Sequence, residues 1–228
     1  LYSVLACTGK YTMDELAQFR QCGSPTPGHP EVDVKRGIEN TSGPLGQGHA
    51  YAAGAAIAAK FLKARFGEVM GQTIYAFISD GGNQEEISQG TGRIAGHLGL
   101  ANLIMFYDSN AIQVSTNTDA VTSEDVAMKY KAWNWHVIEI DGNNAEQIRK
   151  ALTEAKAETS RPTIIIGKTI MGKGARKAYG SSYERMCATH GMPLGEAGAS
   201  FEESIKNLGG NSENPFVIFE ETKAMYAK

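Results

Sequence analysis

Two polar side chains that could bind the same ligand lie thirty residues apart, and each follows an apolar run. Asp80 comes directly after the β-branched and aromatic run 73–79, and Asn110 closes the polar stretch that follows a second apolar run at 101–107. Both runs are too short for helices and predict buried strands. One βαβ unit is about thirty residues long, so both side chains are expected above neighbouring strands of a parallel sheet. A carboxylate, a carboxamide and a nearby backbone carbonyl are oxygen ligands that Mg²⁺ accepts, and a diphosphate at helix N-termini is the expected companion.

A simple turn is the alternative explanation for Asp80-Gly81-Gly82. Glycine readily adopts positive φ, and an aspartate side chain hydrogen-bonds its own backbone in turns. On local sequence alone the turn is favoured over a site, and both explanations remain open at this level.

The glycine-rich stretch 43–50 does not fit the common nucleotide-binding motifs. It has the glycine spacing of a P-loop, but His49 stands where the lysine is required, and Tyr51 occupies the third glycine's place of a dinucleotide fingerprint. The stretch 108–112 opens like a calcium loop, but Ile112 stands where an oxygen side chain is needed. These patterns exclude an ATP-binding P-loop and an EF-hand.

Predicted strands and helices alternate along most of the chain, which is typical of βαβ units. The fold class is therefore α/β, a doubly wound and mainly parallel sheet, with residues 1–228 as one domain. A long Gly- and Pro-rich stretch at 22–48 is expected to be disordered or functional. Residues 172–195 and those after about 200 show no clear pattern. The predicted helices cover about 12–20, 48–66 (Ala-rich and buried), 83–98, 123–132 and 144–158, and the predicted strands cover 73–79, 101–107, 135–140 and 162–167.

The bulk composition is that of an ordinary globular protein. Hydrophobic residues make up 42% of the chain, the formal net charge is −3 and the basic residues are scattered, so neither nucleic acid nor a membrane surface is the expected partner. Three widely spaced cysteines without metal-ligand spacing predict reduced thiols in a cytoplasmic protein. The chain lacks an initiator Met and starts on apolar residues, so we expect its true N-terminus to lie upstream.

At seven places the sequence resembles transketolase. The stretches are "TPGHPE" (26–31), "GPLGQG" (43–48), "SDG" (79–81) with Asn110 after it, "FYDSNAIQV" (106–114), "WHVIEIDG" (135–142), "KTIMGKG" (168–174) and "HGMPLG" (190–195). Their order and number imply the thiamine-diphosphate-binding fold. They also imply that the chain is an N-terminally incomplete part of a larger enzyme, or one half of a split one.

The resemblance implies thiamine diphosphate and Mg²⁺ as cofactors, with Ca²⁺ or Mn²⁺ able to replace the magnesium. Asp80 would be one metal ligand, the Asn110 side chain a second and the Ile112 carbonyl a third. Gly81 would let the backbone approach the phosphates. Ser79 replaces the first glycine of the family's signature, and because serine is small the turn is expected to survive.

The family's remaining cofactor contacts map onto several loops. Gly43, Pro44 and Leu45 would line the aminopyrimidine and thiazolium, and Val114 would make an apolar ring contact. Glu85 would lie near the cofactor and a subunit contact, although a second family glutamate is replaced here by Gly90.

Two histidines match residues that face the reactive carbon of the cofactor in this family. His29 and His190 would be catalytic, exchanging protons with substrate hydroxyls, and His190 would also contact the cofactor. His49, His97 and His136 have no such match and are interpreted as structural.

The activity implied is transfer of a two-carbon ketol unit from a ketose phosphate to an aldose phosphate. Sugar phosphates, the pyrimidine-binding domain of the same enzyme and a second copy in a homodimer would be the partners, and this chain alone would be inactive. The alternatives are another thiamine enzyme, of the 2-oxo acid dehydrogenase or deoxyxylulose-phosphate synthase type, and a non-catalytic cofactor-binding module.

Overall fold

The structure is a computed structural model that describes residues 1–227 of the chain. It contains two compact units, one of residues 1–44 with 205–227 and the other of residues 45–204. The described strands are β1 Ile74–Ser79, β2 Leu103–Ser109, β3 His136–Asp141 and β4 Thr163–Lys168. The described α-helices are α1 Tyr2–Cys7, α2 Met13–Ala17, α3 Gln47–Phe66, α4 Asp80–Gln84, α5 Glu86–His97, α6 Val126–Ala132, α7 Ala145–Ala157, α8 Phe201–Asn207 and α9 Glu220–Tyr226.

The second unit is built on a four-stranded sheet in the order β1-β2-β4-β3. Every neighbouring pair is parallel, and the register places Ser79 beside Asp108 and Ser109 beside Lys168. The carboxyl ends of β1, β2 and β4 therefore lie level at one edge of the sheet. The predicted parallel sheet is confirmed, with each strand beginning one or two residues later than expected.

Helices cover both faces of this sheet. On one face Leu103 and Met105 of β2 share a buried cluster with alanines of α3 and α5. On the other face Ile104 and Ile165 pack against Ala151 and Ala155 of α7. Successive strand residues point to opposite faces, so the continuous apolar runs of β2 and β4 supply both clusters. The doubly wound α/β class is confirmed.

The alanine-rich helix α3 is buried on one side only. Ala52, Ala53 and Ala56 pack into the core, while Tyr51 and Phe61 on other sides of the helix are 50% and 60% exposed. The prediction of a buried helix holds for its small inward face and not for its large outward face, because composition does not separate the two faces.

The first unit contains the predicted capping box. The Thr12 hydroxyl accepts from the Glu15 N–H, and the Glu15 carboxylate accepts from the Thr12 N–H at 2.8 Å. This box starts α2, which ends at Ala17 rather than at residue 20. Helix α1, before it, packs on α2 and α9.

The Gly- and Pro-rich stretch 22–48 takes a defined path. Within the first unit, Thr26 is fully buried and its hydroxyl donates to the Glu15 carbonyl at 2.9 Å. Further along, Asp33 and Ile38 form an antiparallel bridge. Of the two alternatives for this stretch, an ordered loop is what the structure contains. Across residues 1–227, no helix combines the length and the apolar character needed to cross a membrane.

Candidate functional site

Asp80 lies at the carboxyl edge of the sheet and is 4% exposed. One carboxylate oxygen accepts from the Tyr107 hydroxyl at 2.6 Å. The other accepts from the backbone N–H groups of Asn110 and Ala111, each at 3.1 Å. Burying a carboxylate costs free energy unless donors satisfy it, so β2 and the loop after it hold the Asp80 side chain in place.

The backbone around Asp80 is the start of a short helix. The Ser79 hydroxyl accepts from the Gly82 N–H at 3.2 Å, which makes Ser79 the N-cap of α4. Neither Gly81 nor Gly82 has a positive φ. The turn explanation, which required positive φ at these glycines, is therefore wrong, and Ser79 adds a cap that a glycine at its position lacks.

The loop after β2 brings Asn110 and Ile112 beside Asp80. The Asn110 side-chain oxygen accepts from the Ile112 N–H at 3.0 Å, and both residues are buried. Between them, Ala111 has φ 64°, an uncommon value for a residue other than glycine. This conformation lets the Ala111 N–H reach Asp80 while its carbonyl accepts from Thr118 N–H at 3.0 Å. A strained residue held by bonds on both sides often marks a ligand-binding loop.

The oxygen atoms of this loop suit a hard divalent cation. A carboxylate offers about four lone-pair directions. Three donors surround Asp80, so one direction remains for a metal. The Ile112 carbonyl accepts no hydrogen bond from residues 1–227, and the Asn110 oxygen retains a second lone pair. Since no cluster of three His, Cys, Asp or Glu side chains exists in the described chain, a metal here would depend on amide and carbonyl oxygens.

A cavity of about 520 Å³ opens beside Asp80. Most of its charged lining residues are acidic, with Lys168 as the basic side chain, so the cavity favours a cation and repels an anion that arrives without one. The acidic side chains in its lining are Asp80, Asp119, Glu124, Asp125 and Glu139.

Two other groups of the sequence-predicted residues come together locally. In the second unit, Leu45 Cδ1 lies 3.4 Å from the point where a Gly81 side chain would begin. In the first unit, the His29 ring lies 3.3 Å from the corresponding point of Gly43, whose φ is 140°. A side chain at Gly43 would therefore displace the histidine ring.

Most of the remaining predicted site residues are exposed to solvent. Pro44, Glu85 and His29 are exposed, and Val114 is 74% exposed. Glu85 is the N-cap of α5 but its side chain makes no capping bond. His190 is half-buried and its N–H donates to the Cys187 carbonyl at 2.9 Å.

Sequence reasoning missed the hydroxyl of Tyr107. Burial, and then the Asp80 carboxylate, raise the pKa of Tyr107 above its usual value, so it remains a neutral donor. The available signal was a tyrosine near the carboxyl end of a buried strand, since a buried Tyr hydroxyl needs a partner.

Sequence reasoning also missed a set of buried hydrogen bonds that hold α4 in place. His49 Nδ1 lies 2.6 Å from the Ser88 hydroxyl, which donates to the Gly82 carbonyl at 2.6 Å. Tyr130 donates from its hydroxyl to the buried Asn83 side chain at 3.2 Å. Burial lowers the pKa of His49 to about 4, so the ring is neutral at physiological pH.

Comparison with known proteins gives one consistent family. The family model for "Transketolase, thiamine diphosphate binding domain" matches residues 1–228. Transketolase 1 of Escherichia coli K12 is 43% identical over 203 residues, which cover 86% of this chain and 30% of that protein. The transketolase structure from Leishmania mexicana superposes with a TM-score of 0.90 at 37% identity, covering 99% of this chain and 34% of that one.

A third match is a Pichia stipitis transketolase solved in complex with sedoheptulose 7-phosphate, with a TM-score of 0.83 at 32% identity, covering 93% of this chain and 31% of that one. The parallel sheet and the acidic loop at its carboxyl edge thus define a thiamine-diphosphate-binding α/β domain. The chain belongs to the transketolase family and is its thiamine-diphosphate-binding domain. It spans about 30% of the length of the curated relatives that it matches.

Proposed function

We propose that Asp80, the Asn110 side chain and the Ile112 carbonyl hold a Mg²⁺ ion that anchors the diphosphate of thiamine diphosphate. Two observations support this most strongly: the three donors to Asp80 leave one of its lone-pair directions free, and the Ile112 carbonyl accepts no hydrogen bond from residues 1–227. Ca²⁺ and Mn²⁺ accept the same oxygen ligands and would replace Mg²⁺. Because the cavity wall is acidic, the cation must be present for the diphosphate to bind.

The organic part of the cofactor would contact further residues that the resemblance implies. In this proposal Gly81 lets the backbone approach the phosphates, and Leu45, which packs on Gly81, contacts the rings together with Val114. Gly43, Pro44 and Glu85 would be its other contacts. The exposure of Leu45 and Val114, 53% and 74%, leaves their apolar surface free for a ring.

His29 and His190 would exchange protons with substrate hydroxyls. An imidazole suits this task because its ordinary pKa lies near neutrality. His29 packs on Gly43 and is exposed, and His190 is half-buried, so a substrate can reach both residues.

The complete protein would transfer a two-carbon ketol unit from a ketose phosphate to an aldose phosphate. When bound, thiamine diphosphate supplies the nucleophilic carbon and the electron sink for this transfer. Sugar phosphates as substrates agree with the sedoheptulose 7-phosphate complex of the Pichia stipitis relative. The pyrimidine-binding domain of the same enzyme and a second copy of the chain would complete the site. Three unpaired cysteines agree with a cytoplasmic enzyme.

Ketose-dependent turnover by the complete protein tests this proposal. His29→Ala and His190→Ala should lower the rate about 10²–10⁴-fold, because each removes a proton-transfer group. Their affinity for thiamine diphosphate should change much less. His97→Ala, at the exposed end of α5, is the matched control and should keep the wild-type rate. Wild-type rates in both test variants would return these histidines to a structural role, and absence of any ketol transfer by the unmodified protein would reject the activity.

A further inference from the structure

Three polar groups form a chain of hydrogen bonds in the core beside α4. The His49 Nδ1 atom of α3 lies 2.6 Å from the Ser88 hydroxyl of α5, and that hydroxyl lies 2.6 Å from the Gly82 carbonyl of α4. His49 is 4% exposed and Ser88 is 1% exposed. Three helices that all begin near the carboxyl edge of β1 are therefore joined by one chain of hydrogen bonds.

The direction of each bond in this chain follows from its donors. A carbonyl only accepts, so Ser88 must use its single proton on Gly82. The Ser88 oxygen is then an acceptor for His49, and the proton of the neutral ring must lie on Nδ1. Burial, which lowers the pKa of His49 to about 4, keeps the ring in that neutral form. The donor and the acceptor of each of these hydrogen bonds are therefore defined.

The Gly82 carbonyl needs this partner because the helix stops early. In a continuous helix the N–H of residue 86 would bond it, but Glu85 is extended, with φ −66° and ψ 137°. The Ser88 hydroxyl donates to the Gly82 carbonyl instead of that N–H. The neighbouring Gln89 side chain donates to the Asn83 carbonyl at 2.6 Å. Two side chains of α5 thus fix the carboxyl end of α4.

The same short helix presents Asp80 at its first position. Its amino end is held by the Ser79 hydroxyl on the Gly82 N–H, so Gly82 is bonded on both sides. A shift of Gly82 would be transmitted through two peptide units to Asp80. Residues that hold a metal ligand in place without touching the metal commonly change the metal affinity about 10–100-fold when they are removed.

We propose that His49 is a positioning residue for the metal-diphosphate site, acting through Ser88 on the Gly82 carbonyl and so on Asp80. This proposal rests on the proposed function of Asp80 as a metal ligand. His49 touches neither the metal nor the cofactor in this scheme. It fixes the orientation of the Ser88 hydroxyl, which would otherwise be free to rotate away from Gly82.

The test is calorimetric titration of the complete protein with thiamine diphosphate in the presence of Mg²⁺. His49→Leu removes the donor while keeping a buried side chain of similar size, and it should raise the dissociation constant about tenfold. His49→Asn places an amide N–H near the former Nδ1 and should recover most of the affinity. Ser88→Ala removes the bond to Gly82 itself and should weaken binding at least as much as His49→Leu.

A double variant and a matched histidine separate positioning from general stability. Because His49 acts only through Ser88, His49→Leu should add nothing to the dissociation constant in the Ser88→Ala background. The control is His136→Leu, which removes a half-buried histidine bonded to Thr163 at the opposite end of the strands. It should lower the melting temperature and leave the cofactor affinity unchanged.

Several results would overturn the proposal. Unchanged affinity in His49→Leu, even with a lower melting temperature, would make His49 a structural residue. Additive effects of His49→Leu and Ser88→Ala would show that the two do not act in series. If His49→Leu does not fold, unchanged affinity in Ser88→Ala is equally decisive. Failure of the wild-type protein to bind thiamine diphosphate with Mg²⁺ would instead reject the proposed function, and this inference with it.

Discussion

At the scale of single residues, the chemistry of the site depends on how one buried charge is satisfied. Asp80 would be unstable in the core without donors, and Tyr107 with two backbone N–H groups supplies three of them. These hydrogen bonds fix the orientation of the Asp80 carboxylate. The same three donors leave room for one cation, which is the property that the proposed function requires.

The Tyr107 hydroxyl should contribute directly to cofactor affinity. Tyr107→Phe removes a charge-assisted hydrogen bond of about 1.5–3 kcal/mol and lets Asp80 turn. We expect the dissociation constant for Mg-thiamine diphosphate to rise about tenfold in the complete protein, as measured by calorimetry. Tyr75→Phe, on the exposed face of β1, is the control. Equal affinities for wild-type protein and Tyr107→Phe would show that this bond is not needed.

The buried ring of His49 should make stability fall in mild acid. Its pKa is lowered to about 4 in the folded protein, so the unfolded chain binds the extra proton first as the pH drops. The stability that the neutral ring contributes is fully present above the ordinary pKa of about 6.5 and is lost as the pH falls toward 4. Denaturant unfolding of wild-type protein and His49→Leu at pH 7 and pH 4.5 should therefore show their difference in unfolding free energy shrinking by about 2 kcal/mol on acidification. A difference that does not change with pH would contradict a buried neutral ring.

At the scale of elements, the short strands and capped helices could be predicted from the sequence, but the way they pack against one another could not. The run 73–79 and the capping box at Thr12 each predicted an element that exists. The break at Glu85 was missed, because it depends on α5 supplying Ser88 to the end of α4 rather than on local propensity. Helices α1, α8 and α9, which are six or seven residues long, were also missed.

The proposed ligand residues could be predicted from the sequence, but the residues that hold them in place could not. Asp80 and Asn110 could be found because strand ends of a parallel sheet meet at one edge. Tyr107 and His49 could not, because their roles depend on which helix face meets which strand. These contacts join residues up to 39 positions apart.

The close contact between α3 and α5 should make Gly46 intolerant of a side chain. Gly46 has φ 81°, and an added Cβ would lie 2.6 Å from Ile87 Cγ2 and 2.8 Å from Ser88 Oγ. Gly46→Ala should therefore lower the free energy of unfolding by about 2–4 kcal/mol, from strain and overpacking together. Gly54→Ala in the same helix meets nothing within 4 Å and should stabilise by about 0.5–1 kcal/mol. Chemical denaturation of the two variants decides this, and equal stabilities would contradict the packing described.

At the scale of the whole molecule, this chain is about 30% of the length of its relatives. Large apolar side chains of α3, including Ile57 and Phe61, and Phe77 of β1 remain exposed. Leu45 and Val114, the two predicted ring contacts, are exposed as well. Monomeric domains seldom leave so many large apolar groups in water, which agrees with the proposed partner domain and second copy.

The isolated chain should hold the metal and diphosphate without activating the cofactor. In the proposed enzyme the pyrimidine-binding domain carries the acid that activates the aminopyrimidine, and it also excludes water from the ring. Deuterium exchange at C2 of thiamine diphosphate, followed by NMR, should stay at the solution rate with this chain alone. It should accelerate when a separately produced pyrimidine-binding half is added. Acceleration by the 228-residue chain alone would show that the activating group lies within it.

The central claim, that the loop joining Asp80 to Asn110 and Ile112 holds the metal-bound diphosphate, is tested most directly by one calorimetric comparison. Thiamine diphosphate is titrated into the complete protein with and without Mg²⁺, for wild-type protein, Asp80→Asn and Asp119→Asn. Asp119 is an exposed acid in the wall of the same cavity, so its variant removes an equal charge without removing a ligand.

The account predicts Mg²⁺-dependent binding by wild-type protein and Asp119→Asn. Asp80→Asn should lose a few kcal/mol of binding, at least about a hundredfold in the dissociation constant, and its melting temperature should also fall, because the amide NH₂ replaces an oxygen that accepts from Tyr107 or from the two backbone N–H groups. Unchanged Mg²⁺-dependent affinity in Asp80→Asn would contradict the assignment of this loop.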